Sequence, residues 1–218
     1  MKMSIAIDGP AGGGKTTIAG EVARRLGLKY VDTGAMYRAV AWKSLELGIS
    51  LSDEEAIVRM TGEMSIDFRP GDGRIFVDGT DVSDAIRTPE VTKLSSPVSA
   101  ISGVRRCLVA QQQKLACGGG VVMEGRDIGS VVLPNAQCKI FLTASVDERA
   151  RRRYLEMRAK GMDVDIEALK KDIQERDVRD SARSDSPLTQ VTDAVVIDTD
   201  RLTIEEVIEK VIWQIRDQ

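Results

Sequence analysis

Short apolar runs alternate along the chain with longer stretches in which apolar residues recur every three or four positions. The short runs predict strands at 4–8, 29–31, 121–123, 139–142 and 194–197. The longer stretches predict helices at 15–26, 35–47, 104–116, 146–159, 166–179 and 204–216. Strands that alternate with amphipathic helices are typical of a parallel sheet covered on both faces. The pattern therefore predicts an α/β fold with a three-layer core and a five-stranded parallel sheet.

One segment, 63–100, departs from this alternation. Residues 64–68 and 74–78 alternate apolar and polar side chains around the sequence Pro-Gly-Asp-Gly at 70–73, which predicts a β-hairpin. The residues at 78–81 predict another turn. We therefore expect a small antiparallel sheet inserted into the parallel core, at the strand edge where such folds bind ligands.

A glycine-rich loop lies between the first predicted strand and the first predicted helix. It fits the phosphate-binding template G-x-x-x-x-G-K-[ST] in full, and its context is the strand and helix that this template requires. Successive backbone N–H groups and the positive end of the helix would surround a polyphosphate. The loop therefore predicts binding of a nucleoside triphosphate by Gly9, Pro10, Ala11, Gly12, Gly13, Gly14, Lys15, Thr16 and Thr17.

Composition narrows the chemistry that can follow. The 218 residues contain no histidine, which excludes imidazole as a general base or a metal ligand. A net charge of -3 argues against broad nucleic-acid binding, and no run is long and apolar enough for a membrane span or a signal segment. Cys107, Cys117 and Cys138 are expected to be buried, reduced thiols. We expect a cytoplasmic protein without a nucleic-acid or membrane partner.

Arginines follow several of the predicted strands. Arg38 comes after the second strand and Arg126 after the third, so parallel strands would bring both to the edge that carries the glycine-rich loop. Converging guanidinium groups suit two phosphoryl ends that meet in a transfer step. The cluster at 149–153 is more ambiguous, and is compatible with a closing lid, an ordinary charged helix or a nucleic-acid patch.

Together these motifs resemble the bacterial cytidylate kinases among the nucleoside monophosphate kinases. The resemblance extends over essentially the whole chain. The glycine-rich loop alone is shared with many ATPases, whereas the hairpin insertion, the Gly-Arg-Asp-Ile-Gly block and the late arginine–aspartate run are specific to this family. The matching blocks lie at 7–15, 32–38, 86–91, 95–100, 104–106, 124–129 and 176–183.

The resemblance implies transfer of the γ-phosphoryl group of ATP to CMP, and usually to dCMP, within pyrimidine nucleotide metabolism. Three residues match the cytosine readers: Ser96, Arg105 and Asp127. Two match the residues that hold the ribose: Arg176 and Asp180. Arg38, Arg126 and Arg183 match the clamp on the acceptor phosphate, and Thr33 lies beside the acceptor by position. Tyr37 is expected to pack beside the acceptor nucleotide or, equally well, to have a structural role. Gly13, Thr16 and Thr33 depart from the commonest family pattern, but each keeps the glycine freedom or the hydroxyl that is needed.

The resemblance also implies a mechanism and a domain organisation. Lys15, Arg126 and Arg38 are the expected catalytic residues. Thr16 is expected to bind Mg²⁺ and Glu124 to hold a metal-bound water, although a capping or solvent-facing role suits Glu124 nearly as well. The expected parts are a core of 1–34 and 101–218, an acceptor-binding insertion of 35–100, and a lid within 147–162 that carries Arg149, Arg152 and Arg153. The family is often monomeric.

Two other functions remain open from the sequence. The first is another small-molecule kinase of this fold, acting on UMP, AMP or a non-nucleotide alcohol. The second is a nucleotide-binding switch or a nucleic-acid-binding ATPase that uses the arginines at 149–153. The insertion and the predicted cytosine readers disfavour the first, and the acidic net charge disfavours the second.

Overall fold

A computed structural model describes residues 3–69, 71, 73–183 and 185–217. Its central sheet has five parallel strands in the order β2-β6-β1-β7-β8. These strands confirm the five predicted ones within one or two residues at each end. They are β1 (Ser4–Asp8), β2 (Lys29–Asp32), β6 (Val121–Gly125), β7 (Cys138–Thr143) and β8 (Val195–Asp198).

Helices cover both faces of this sheet, which confirms the predicted three-layer core. Along β1 the side chains alternate, so Ile5 and Ile7 pack with the first and last helices, whereas Ala6 packs with the helices of the opposite layer. The helices are α1 (Lys15–Leu26), α2 (Thr33–Glu46), α3 (Glu54–Glu63), α4 (Pro89–Ala100), α5 (Ser102–Leu115), α6 (Val146–Ala159), α7 (Ile166–Ser181) and α8 (Ile204–Arg216).

Two helices begin as their sequences dictate. Thr203 caps α8 with its hydroxyl, and Glu206 accepts a bond from the Thr203 backbone N–H, so a capping box is present. At α4 the Thr88 side chain accepts from Val91, and Pro89 occupies the first helical turn, where its missing N–H costs nothing.

The insertion contains the predicted antiparallel hairpin, formed by β3 (Ile66–Phe68) and β4 (Ile75–Val77). Pro70 and Asp72 of the predicted turn lie outside the described residues. A third strand, β5 (Thr80–Asp81), pairs with β4 where the sequence predicted only a turn. The prediction also missed α3, which Asp53 caps.

The insertion and the parallel sheet share one hydrophobic core. Ala6 and Met123 of the sheet belong to the same buried cluster as Phe68, Val77 and Val98 of the insertion. The predicted boundary at residue 35 falls inside α2, because this helix runs from the sheet edge directly into the insertion.

The three cysteines are free thiols, as predicted, but one expectation about them was wrong. Cys138 is buried in β7 and Cys107 is half-buried, whereas Cys117 is exposed. It lies in the glycine-rich turn after α5, where the chain reverses at the surface.

Candidate active site

The glycine-rich loop adopts a backbone that only glycine can supply. Gly9, Gly12 and Gly14 have φ angles of 148°, 77° and 86°. A Cβ atom on Gly9 would lie 2.0 Å from the carbonyl oxygen of Leu142, so a side chain there would collide with β7. Gly14 precedes α1 and carries no capping side chain, which leaves the first amides of this helix available to an anion. We call residues 9–17 the phosphate loop.

Lys15 is held at the base of this loop. Its Nζ atom donates to the carbonyl oxygen of Pro10 at 2.7 Å, and the side chain is buried. Burial lowers the pKa of Lys15 to about 7, and the positive charge of Arg126 adds to this effect. A polyphosphate bound in the loop would raise the pKa of Lys15 again, because a nearby anion favours the charged ammonium group.

Two carboxylates and a hydroxyl meet beside the loop. Asp32 ends β2 and Glu124 is the second-last residue of β6, and the two are direct neighbours in register. Tyr30 donates its hydroxyl to Oε1 of Glu124 at 2.7 Å. Burial raises the pKa of Glu124, as does the charge of Asp32, whereas the Thr16 hydroxyl acts in the opposite direction. This set of oxygen ligands is of the kind that a hard divalent cation prefers.

Three arginines surround one buried carboxylate on the other side of the cleft. Asp180 of α7 accepts from Nε of Arg126 at 2.8 Å and from Arg183, and Nε of Arg176 lies 4.0 Å away. Burial lowers the pKa of Arg176 to about 10, and the charge of Arg126 lowers it further. Positive charge therefore exceeds what Asp180 balances.

A cavity of about 60 Å³ lies among these arginines; we call it the arginine cavity. Nine of the ten predicted acceptor-binding residues line it, together with Ser95 and Ser99. The nine are Thr33, Tyr37, Arg38, Arg105, Arg126, Asp127, Arg176, Asp180 and Arg183. A larger groove of about 320 Å³ lies in the insertion, but its Lys43 and Asp78 already pair with each other at 3.4 Å.

The arginine cavity holds most of the unpaired buried polar atoms in the described part of the chain. Six buried side-chain nitrogen or oxygen atoms there have no hydrogen-bond partner, and four of them belong to residues that line this cavity. Such atoms are costly unless a ligand or water satisfies them. The four are the Tyr37 hydroxyl and the Nε atoms of Arg38, Arg105 and Arg176.

Arg105 and Asp127 form a buried ion pair at the inner wall. Nη2 of Arg105 lies 2.6 Å from Oδ2 of Asp127, and both side chains are almost fully buried. The guanidinium group also lies over the ring of Tyr37, 5.5 Å from its centre, and donates to the Ser99 carbonyl at 3.3 Å. The pair thus places a hydrogen-bond acceptor, the carboxylate, beside a donor, the guanidinium group. Such an arrangement can recognise the edge of a nucleobase.

Ser96 differs from the other predicted cytosine readers. Its hydroxyl accepts from Nη1 of Arg179 at 3.0 Å, across the gap between α4 and α7. One turn further on, Nη2 of Arg183 donates to the Ser99 hydroxyl at 3.1 Å. These two bonds join the insertion to α7 and to the residues directly after it, and the assignment of Ser96 as a reader stays a prediction.

Sequence reasoning missed the role of Asp8. Its buried carboxylate accepts from the backbone N–H groups of Ile128 and Gly129, at 2.9 and 2.7 Å. These residues directly follow Asp127, so Asp8 ties the start of the phosphate loop to the wall of the arginine cavity. The only signal in the sequence was an acidic residue at the end of an apolar strand, directly before Gly9.

The predicted lid arginines have specific contacts. Arg149 is buried, pairs with Asp177 at 2.6 Å, and donates to the carbonyl oxygen of Ala11 in the phosphate loop at 3.1 Å. Arg152 donates to the Thr199 carbonyl at 2.7 Å. Arg153 is exposed, and its charge contributes to the lowered pKa of Arg176. Arg149 thus supports the phosphate loop here, and the lid assignment stays a prediction.

The phosphate loop on a five-stranded parallel sheet, facing a cluster of arginines, defines a P-loop kinase. A shikimate kinase from Acinetobacter baumannii, solved with shikimate, has a similar fold with a TM-score of 0.50 at 15% identity, covering 100% of this chain and 94% of that one. This likeness concerns the fold alone. No helix among the described residues combines the length and apolarity needed to cross a bilayer.

The sequence comparisons are more specific. The cytidylate kinase family profile matches residues 5–217. The cytidylate kinase of Ligilactobacillus salivarius is 51% identical over 212 residues, covering 96% of this chain and 95% of that protein. That of Caldanaerobacter subterraneus subsp. tengcongensis is 52% identical over 217 residues, covering 99% and 96%. The chain belongs to the cytidylate kinase family.

Proposed function

We propose that this protein transfers the γ-phosphoryl group of ATP to CMP, and to dCMP, giving ADP and CDP or dCDP. The observation that carries the proposal is the arginine cavity, whose unpaired donors lie beside a phosphate loop at the same edge of the sheet. Membership in the cytidylate kinase family supports the same acceptor. Two phosphorylated ligands would then meet between Lys15 and Arg126.

The phosphate loop is the proposed donor site. Its backbone amides and Lys15 would hold the β- and γ-phosphates of ATP. Because a phosphate oxygen of the acceptor is already a nucleophile, the protein needs no general base, in keeping with a chain that lacks histidine. Arg126 would neutralise charge on the oxygens of the transferred group, assisted by Arg38.

The arginine cavity is the proposed acceptor site. Arg38, Arg126 and Arg183 would clamp the phosphate of CMP, and Arg176 and Asp180 would hold its ribose. The buried pair of Arg105 and Asp127 would read cytosine, whose exocyclic amine needs an acceptor beside a donor for the ring nitrogen and carbonyl. Uracil would leave these buried groups unpaired and would therefore bind more weakly.

The residues beside the phosphate loop fit a magnesium ion. Among the described residues no group of three or more acidic or cysteine side chains could hold a metal, but magnesium in kinases needs only one or two protein ligands, with substrate phosphates and water completing its shell. Thr16 would bind the ion, with Glu124 acting through a water. When bound, magnesium would offset the negative charge of the phosphates during transfer.

Acceptor entry requires the cleft to open. Ligand sites usually measure about 300 Å³ or more, far above the 60 Å³ of the arginine cavity. CMP could enter only if α4 and α7 separated, which breaks the bonds from Arg179 to Ser96 and from Arg183 to Ser99. Reclosure would exclude water and limit hydrolysis of ATP. The expected lid within 147–162, the monomeric state and the cytoplasmic location stay predictions.

An acceptor panel tests the proposal. ADP release from ATP, measured by a coupled assay, should be fast with CMP and dCMP, slower with UMP and close to background with AMP. Asp127→Asn should lower kcat/KM for CMP about 100-fold while changing the KM of ATP by less than about threefold. Arg24→Ala, on an exposed arginine of α1, is the matched control and should match the parent protein. Equal rates with all four acceptors would reject cytidine specificity.

A further inference from the structure

Tyr30 is a partly buried tyrosine that the predicted site does not include. It lies on β2, and its hydroxyl donates to Oε1 of Glu124 at 2.7 Å. Burial and the charge of Glu124 raise the pKa of Tyr30, and the Thr16 hydroxyl acts in the opposite direction, so both proposed partners of magnesium influence this one group.

The strand register explains how Tyr30 reaches this position. β2 and β6 run parallel, with Tyr30 opposite Val122 and Asp32 opposite Glu124. Tyr30 precedes Asp32 by two residues, so both side chains leave the same face of the strand. The phenol ring therefore runs along the sheet toward its carboxyl edge and ends at Glu124.

Packing holds the ring in one place. It belongs to the partly buried residues against the core layer of α1. A Cβ atom on Gly20 of α1 would lie 4.0 Å from Cε1 of the ring, and one on Gly73 of the hairpin would lie 3.1 Å from Cδ1. The ring is thus enclosed between α1 and the hairpin, and its hydroxyl has little freedom to leave Glu124.

We infer that Tyr30 is a positioning residue for the metal: its hydroxyl engages Oε1 of Glu124 and leaves Oε2 to face the magnesium ion and its water. This inference rests on the proposed function, because the ion arrives with the nucleotide. Groups that orient a ligand in this way typically change metal affinity 10- to 100-fold when they are removed. The hydrogen bond from Tyr30 would also offset the free-energy cost of burying the Glu124 carboxylate close to Asp32.

Isothermal titration calorimetry with ADP can separate this role from simple packing. Each protein is titrated once with magnesium present and once in excess chelator, so that the metal-dependent gain in affinity is measured apart from nucleotide binding. Tyr30→Phe keeps the ring and removes only the hydroxyl. We expect it to reduce the magnesium-dependent gain at least tenfold and to leave the metal-free affinity for ADP within about twofold of the parent.

A second variant tests the pairing directly. In the background of Glu124→Gln, the further change Tyr30→Phe should have almost no effect on the magnesium-dependent gain, since the hydroxyl then has no carboxylate to orient. Independent, additive losses from the two substitutions would overturn the inference. So would a Tyr30→Phe protein that keeps the full gain, or one that loses metal-free ADP affinity by the same factor.

The same titration separates failure of this inference from failure of its basis. If the parent protein binds ADP equally well with and without magnesium, the proposed metal role of Thr16 and Glu124 is wrong, and the inference falls with it. If the parent shows the gain and Tyr30→Phe shows it unchanged, only the role of Tyr30 is wrong. Thermal unfolding of each variant confirms that the fold is intact.

Discussion

The phosphate loop and the arginine cavity, the two proposed anion sites, are built from different parts of the polypeptide. The phosphate loop uses backbone amides, glycines with positive φ and one lysine, all within nine consecutive residues. The arginine cavity uses side chains from α2, α4, α5, α7 and the end of β6. A backbone site is encoded locally and tolerates few changes of conformation, whereas a side-chain site depends on the tertiary fold. Substitutions should therefore affect the two regions in different ways.

The largest effect is expected at the phosphate loop. Lys15→Met keeps a side chain of similar length in the buried position but removes its charge. Turnover should fall at least about 10³-fold, because a positioned cation at the transferred phosphate is lost. The affinity for CMP, measured by calorimetry, should stay within a few-fold of the parent. Unchanged turnover in the coupled ADP assay would contradict the assignment of the phosphate loop.

Asp8 links the two regions and should influence stability more than chemistry. Burial raises its pKa from 3.8 to about 6, so the folded chain binds this proton more tightly than the unfolded chain does. Its contribution to stability is therefore largest below about pH 4 and is lost as the pH rises through 6. A shift of about two pH units corresponds to about 3 kcal/mol.

Asp8→Asn removes this dependence on pH. Between pH 4 and pH 7, the free energy of unfolding of the variant should fall by about 2–2.5 kcal/mol less than that of the parent. Denaturant unfolding at several pH values measures the difference, and Asp172→Asn, an exposed carboxyl on α7, serves as the control. Parallel curves for parent and Asp8→Asn would show that Asp8 does not titrate differently on folding.

Single arginines of the cavity should have smaller effects than Lys15, because their neighbours share the charge. Arg38→Ala or Arg183→Ala should lower kcat/KM for CMP about 100-fold and change the KM of ATP less than about threefold. Steady-state kinetics with each substrate varied in turn gives both values. Kinetics indistinguishable from those of Arg24→Ala would remove either residue from the proposed clamp.

The smallest effect is expected at Arg179, which is exposed. Arg179→Ala frees the Ser96 hydroxyl and loosens the join between α4 and α7. The loss of one such bond, worth about 0.5–1.5 kcal/mol, should lower the KM of CMP by no more than about tenfold. A higher KM would instead mean that Arg179 itself contributes to acceptor binding.

The same contrast explains what could be predicted from the sequence. The phosphate loop and the five strands are encoded by neighbouring residues, and the structure has them at or near the predicted positions. The resemblance identified the residues of the arginine cavity, but their pairing could not be read from spacing. Asp180 meets Arg126 across 54 positions, and Asp8 meets Ile128 across 120.

The misses have physical causes as well. The strand β5 is only two residues long and lacks an alternating pattern, so its sequence predicts a turn. The helix α3 did have a signal, since Asp53 precedes two glutamates and the buried Ile57 and Met60 follow at helical spacing. The contacts of Arg149 were equally inaccessible, because a charge run in a sequence gives no indication that one member turns inward to Asp177 and Ala11.

The hydrophobic core that continues from the sheet into the insertion makes the chain a single cooperative unit. Heat should melt both halves together, in one transition, rather than releasing the insertion first. A ligand that binds either end of the cleft would then raise the same melting temperature, by an amount set by its own concentration and affinity. One melting curve could thus rank nucleotides for both sites without any turnover.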